Sequence, residues 1–158
     1  MTLIAYKDGI IACDSQITSA DIITYLDFDK HKLQDDVHFW FAGSVSDYPL
    51  IEEMWFKDKG KGDVNASAIV LCDGLLWFVA VDPDTGFWKT PLMLEHPYAI
   101  GSGAQFAFGA MDFGASAQEA VVIATKRDTA TGGTIRLYDL KLLTKEVDDG
   151  RRARVQAS

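Results

Sequence analysis

Three histidines, two cysteines and one Gly-Ser-Gly run are the obvious places to look for chemistry in this 158-residue chain. His31, His38 and His96 show no His-x-x-x-His spacing, and Cys13 and Cys72 show no Cys-x-x-Cys spacing, so a metal centre is not expected. Gly101-Ser102-Gly103 stands between a strand-like and a helix-like run, as a dinucleotide-binding turn would. Phe106 occupies the place of the third glycine, however, and no βαβ order surrounds it. The run also lacks the Gly-x-Ser-x-Gly spacing of a nucleophile elbow. Each cysteine lies inside an apolar strand-like run, which predicts two buried, unreactive thiols rather than a disulfide.

Composition narrows the field further. With 48% hydrophobic residues the chain can bury a sizeable core as one domain. A net charge of −8 argues against binding to phosphate backbones, and no stretch interleaves basic with aromatic residues. Residues 1–8 lack a basic leader, and no apolar run approaches the roughly 20 residues needed to span a bilayer. A cytoplasmic protein without nucleic-acid or membrane partners is expected.

The elements that would position any site read mainly as antiparallel hairpins. Leu3 to Tyr6 and Ile10 to Cys13 flank Lys7-Asp8-Gly9, where Asp-Gly favours a tight turn. A second pair, Lys32 to Gln34 and Val37 to Ala42, flanks Asp35-Asp36, and a third, Ala68 to Leu71 and Leu75 to Val81, flanks Asp73-Gly74. Tyr48, Ile51, Met54 and Trp55 recur at helical spacing after Ser44 and Ser46, either of which is a candidate cap, and this helix should end near Lys57. Helices are also predicted over Ala104 to Asp112 and behind Ser116-Ala-Gln-Glu119, which has capping-box spacing. Thr134 to Leu140 reads as a last strand. The domain is expected to span residues 1–144, with 145–158 a polar, frayed tail. Strands apolar on both faces, interleaved with helices in this order, suit stacked layers with sheets inside and helices outside.

Five segments then carry a specific resemblance. Thr2-Leu-Ile-Ala-Tyr-Lys7, Gly9-Ile-Ile-Ala-Cys-Asp14-Ser-Gln-Ile-Thr18, Phe41-Ala-Gly-Ser-Val-Ser-Asp47, Ile100-Gly-Ser-Gly-Ala-Gln-Phe-Ala-Phe-Gly-Ala-Met-Asp112 and Arg127-Asp-Thr-Ala-Thr-Gly-Gly133 occur in the order seen in proteasome β-subunits and their bacterial HslV relatives. The chain thus resembles the N-terminal-nucleophile (Ntn) hydrolases. That resemblance implies an α+β fold, a four-layer αββα sandwich with antiparallel sheets between helical layers. It implies a threonine-type endopeptidase subunit of a self-compartmentalising protease, acting on polypeptide in a homo-oligomeric ring. No cofactor would be required, and a separate AAA+ ATPase unfoldase is a possible partner. Residue by residue, Thr2 matches the nucleophile exposed once Met1 is removed, Asp14 the aspartate, and Lys32, with Lys30 the alternative, the active-site lysine. Gly43 matches the glycine whose N–H stabilises the oxyanion, and Ser102, Asp128 and Thr131 match the outer group around the amino terminus.

Chemistry explains these types. A terminal threonine carries its own base, an α-amine with an ordinary pKa of about 7.7–8.0, next to its hydroxyl. A nearby lysine favours the neutral amine by like-charge repulsion, and an aspartate would fix that lysine. A two-residue turn at Asp8-Gly9 sets Lys7 opposite Ile10 and leaves Asp14 diagonal to Thr2. Singly, each residue has an ordinary reading: Thr2 starts a strand, Lys32 edges one, Ser102 caps a helix, Asp128 and Thr131 make a turn, and Gly43 permits close packing. A small-molecule Ntn amidase and a catalytically silent ring component are the competing functions.

Overall fold

The computed structural model describes residues 2–157. In chain order, β1 (Leu3–Lys7) and β2 (Ile10–Cys13) form a hairpin, and β3 (Ile17–Ser19) and β4 (Ile22–Tyr25) form a short ribbon. β5 (His31–Gln34) and β6 (Val37–Gly43) follow, and then a 3-10 turn (Val45–Asp47) and α1 (Tyr48–Lys57). Three strands come next, β7 (Ala66–Cys72), β8 (Leu75–Asp82) and β9 (Gly86–Pro91). The chain closes with β10 (Tyr98–Gly101), α2 (Ala104–Asp112), α3 (Ala117–Thr125), β11 (Arg136–Asp139) and α4 (Leu140–Ala157). One sheet has the order β10-β1-β2-β11 and the other β5-β6-β7-β8-β9, with antiparallel neighbours throughout.

The three expected hairpins form about their expected turns, and the register starts at Lys7 opposite Ile10. Both central residues of each turn take positive φ: 51° and 80° at Asp8-Gly9, 49° and 66° at Asp35-Asp36, 51° and 75° at Asp73-Gly74. This left-handed geometry matches the twist of the flanking strands, and aspartate tolerates it better than most residues.

Strand alternation divides the core. On β1, Ile4 and Tyr6 join Ile11 and Cys13 of β2 against Trp40, Ala42, Ile69 and Leu71 of the other sheet. Leu3 and Ala5 face the opposite way, with Ala12, onto α2 and α3. Four alanines of the helix faces meeting them, Ala107, Ala117, Ala120 and Ala124, are as small as Ala5 and Ala12 below, so the helix pair can approach the sheet closely. On β6 the same alternation sends Phe39 and Phe41 outward to Tyr48 and Ile51 of α1. The protein is therefore an α+β fold with antiparallel sheets and flanking helices.

Four local expectations need correction. Neither Ser44 nor Ser46 caps α1: its N-cap is Asp47, whose carboxylate instead accepts the Asn65 N–H at 2.8 Å. Ser102 does not cap α2, because Gly103 holds that position. The β3–β4 ribbon was not foreseen; its apolar residues, Ile22, Ile23 and Tyr25, are exposed, so no core periodicity marks it. Residues 145–157 continue α4 instead of fraying. They have little to bury, but Arg151 Nη1 reaches Asp73 at 2.8 Å and its Nε reaches Asp36 at 3.3 Å, tying the helix to two hairpin turns. Among the described residues, no helix is long and apolar enough to cross a membrane.

The capping box forms in full: Glu119 N–H donates to Ser116 Oγ and Ser116 N–H to Glu119 Oε1, both at 3.1 Å. Ser116→Ala should therefore cost about 1 kcal/mol in urea unfolding, lowering the midpoint at unchanged slope.

Candidate functional site

The turn-distal ends of β1 and β2 carry Thr2 and Asp14, and the Asp14 N–H donates to the Leu3 carbonyl at 3.2 Å, extending the hairpin ladder past its last regular pair. Asp14 is fully buried, as is the side chain of Lys30. Asp14 Oδ1 accepts from the Thr2 hydroxyl, from Leu3 N–H at 3.0 Å and from Lys30 Nζ at 2.7 Å. Its Oδ2 accepts from Gly132 N–H at 3.0 Å. Lys30 Nζ also donates to Thr2 Oγ1. Both oxygens of the carboxylate are thus engaged, as a buried charge requires. Burial pushes the Lys30 amine below its ordinary value, and the neighbouring Asp14 carboxylate opposes that shift without cancelling it.

Lys30, not Lys32, meets Thr2. β5 begins at His31, so Lys30 sits in the preceding loop and turns inward, whereas Lys32 points to α1 and pairs with Glu52 at 2.8 Å, half exposed. The lysine assignment at 32 is corrected on this geometry.

Ser102, Asp128 and Thr131 form a second cluster. Ser102 Oγ and Thr131 Oγ1 donate to Asp128 Oδ2 at 2.7 and 2.6 Å, and Ala130 N–H donates to Oδ1 at 3.1 Å. Burial raises the Asp128 pKa, but these three hydrogen bonds outweigh it and hold the carboxyl below its ordinary value. The register of β1 with β10 ends at Leu3 opposite Gly101, which sets Ser102 alongside Thr2. Thr131 precedes the Gly132 that binds Asp14, so one loop serves both clusters. Gln16 fastens that loop, donating to the Thr129 carbonyl at 2.8 Å.

Gly43 and Ser102 line a cleft of about 290 Å³ with Asn65, Ser67 and Gly101. Both glycines are sterically required. Gly101 has φ +101°, and a Cβ there would collide with the Thr2 carbonyl; Gly43 has φ +102°, and a Cβ there would strike the Asn65 carbonyl. A larger cavity of about 720 Å³ lies at the Asp8-Gly9 end of the first hairpin, away from Thr2, and holds none of these groups.

A hydroxyl that accepts from a lysine and donates to a carboxylate, beside a cleft with glycine backbone, is a candidate nucleophile. Three solved structures share the surrounding fold. BPH, a β-proteasome homologue from Thiobacillus denitrificans, matches with a TM-score of 0.65 and 16% identity in its complex with epoxomicin, over 87% of this chain and 96% of that one. BPH alone gives 0.63 and 17%, over 87% and 95%. HslV from Trypanosoma brucei gives 0.64 and 22%, over 87% and 97%. The chain has the fold of the proteasome-like Ntn hydrolases. At these identities the likeness is one of fold, and no family model or curated protein sequence matches.

Within the proteasome-like fold, several contributors had no clear sequence signal. Gly132, Gln16 and Gly101 stand within the matching segments, but the contacts they make are with residues distant in sequence. Cys13, adjacent to Asp14, is no rival nucleophile: burial pushes its thiol up to about 12, and Asp14 adds to the rise. Both cysteines are free thiols, Cys13 buried and Cys72 half-buried. The described residues contain no cluster of three or more potential metal ligands.

The two lysines should separate cleanly in unfolding experiments. Lys30→Ala strands a buried carboxylate and should cost about 3 kcal/mol. Lys32→Ala breaks a half-exposed pair and should cost under about 1 kcal/mol. Equal losses in denaturant titrations would contradict the assignment.

Proposed function

We propose that this chain is a threonine-type endopeptidase subunit of a self-compartmentalising, proteasome- or HslV-like protease, with Thr2 as nucleophile after removal of Met1. The observation that carries the reading is the convergence of Lys30 Nζ and Asp14 Oδ1 on Thr2 Oγ1. The three hydrophobic clusters support an αββα stacking order for the domain: helix pair, sheet, sheet, helix.

In this reading the free α-amine of Thr2 takes the proton of its own hydroxyl as Oγ1 attacks the carbonyl carbon of a peptide bond. The charge on Lys30 favours the neutral amine that can do so, and Asp14 fixes Lys30 and the hydroxyl relative to each other. The carbonyl oxygen gains negative charge at the Gly43 backbone, where a donor N–H is worth roughly 3 kcal/mol in comparable sites. As the tetrahedral species collapses, the C–N bond breaks and the amine product leaves with the proton. Water, deprotonated by the same α-amine, then hydrolyses the Thr2 ester. Ser102, Asp128 and Thr131 hold the α-amine in place. While Met1 remains, the Thr2 nitrogen is an amide and cannot take the proton of the hydroxyl.

The substrate is polypeptide, and no cofactor takes part. Assembly into a homo-oligomeric ring would supply specificity by enclosure, with unfolding done by a separate AAA+ ATPase in the cytoplasm. HslV and proteasome relatives form rings, which supports this arrangement.

Thr2→Ala should lower hydrolysis of unfolded casein and of a fluorogenic peptide at least about a thousandfold in a protein that stays folded, with a lowered melting temperature because Asp14 and Lys30 lose a buried hydrogen-bond partner. Undiminished activity in that variant would remove Thr2 from the mechanism. Hydrolysis of small amides but not casein by the mature wild type would favour an amidase instead.

A further inference from the structure

Lys30 lies between β4 and β5, where its carbonyl accepts the Phe41 N–H of β6 at 3.0 Å, and its amine must stay fixed between Asp14 and Thr2. β11 supplies much of what holds that segment. Strand alternation turns Arg136 and Tyr138 to one face and leaves Leu137 and Asp139 exposed on the other. Arg136 donates to Ser15 Oγ and, at 2.9 Å, to Asp27 Oδ1, while Phe28 N–H donates to the Ser15 carbonyl at 2.9 Å. Two residues on, Tyr138 Oη donates to Asp29 Oδ1 at 3.1 Å, and that same oxygen accepts the His31 N–H at 2.9 Å. Asp29 therefore braces the backbone on both sides of Lys30. The Tyr138 ring seats against His31 and Trp40, with centroids at 4.7 and 5.4 Å, so the hydroxyl is aimed by packing. Arg136 pairs with Cys13 and Tyr138 with Ile11, which places these anchors beside β2, the strand that carries Asp14 to its position.

We propose that β11 is a positioning strand for the active-site lysine, in which Tyr138, acting through Asp29, sets the place of the Lys30 amine and Arg136 holds the base of the same loop through Asp27 and Ser15. The proposal rests on reading Thr2 as the nucleophile and Lys30 as its partner. Neither Tyr138 nor Arg136 touches the reacting atoms; both act through the loop.

The test uses the full chain labelled with ¹³Cε-lysine, with the Lys30 resonance assigned by its loss in Lys30→Arg. Tyr138→Phe removes the hydroxyl and keeps the ring. It should displace the Lys30 resonance, lower kcat for peptide hydrolysis about tenfold and leave KM and melting temperature nearly unchanged. Asp29→Asn provides the same readout should Tyr138→Phe fold poorly, and Leu137→Ser on the exposed face should change nothing. An unmoved Lys30 resonance with wild-type kcat in Tyr138→Phe and Asp29→Asn overturns the proposal, as does a kcat loss matched by a proportional loss of stability. An inactive wild type whose Lys30 resonance still moves in Tyr138→Phe contradicts the nucleophile reading alone and leaves the positioning role standing.

Discussion

The ion pair between Lys30 and Asp14 is the constraint around which the rest of the molecule is arranged. Both side chains are shut off from water, and charges so placed are tolerable only when their remaining hydrogen-bonding capacity is filled. Four donors from three parts of the chain do this for Asp14: the Thr2 hydroxyl and Leu3 N–H at the start of β1, the Gly132 N–H and the Lys30 amine. Displacing any one leaves a buried charge short of a partner. The arrangement therefore specifies where β1, β2, the Asp128–Gly133 loop and the Asp27–Lys30 loop must end up relative to one another. The Thr2 hydroxyl sits inside this network rather than beside it, so the groups that would activate it also fold the site.

The layers provide the rigidity that such a pair needs. Alternation along β1 sends Ile4 and Tyr6 into the inter-sheet core and Leu3 and Ala5 under the helix pair, which pins the strand from both faces up to the residue after Thr2. Glycines at 43 and 101 then let backbone approach backbone where a cleft meets that strand. No side chain could replace them there without moving Thr2 or Asn65. A site on a strand end, flanked by steric necessities, is better held than one carried wholly on loops. Lys30 is the exception, and its loop needs anchors from a distant strand.

How far all this could be read from sequence differs from residue to residue. The hairpins about Asp8-Gly9, Asp35-Asp36 and Asp73-Gly74 were legible because left-handed turn residues interrupt alternating apolar runs. The boundaries of α2 and the capping box of α3 were legible for similar local reasons. Lys30 and Lys32 were not separable, because they share parity along the chain and only the starting point of β5 decides which one turns inward. The α4 helix escaped because its anchors, Arg151 with Asp36 and Asp73, are distant in sequence. Asp29, Arg136 and Tyr138 escaped for the same reason: their significance lies in whom they meet, and neighbouring residues carry no trace of it.

The central claim is that Thr2, freed of Met1, is the reactive group. It is tested most directly by mass analysis of the purified protein before and after incubation with a peptide epoxyketone, the inhibitor class of the epoxomicin found with BPH. The account predicts a mature chain beginning at Thr2 and a single adduct mapped to that residue, formed through both its hydroxyl and its free amine. A chain that retains Met1 and takes up no inhibitor would contradict it.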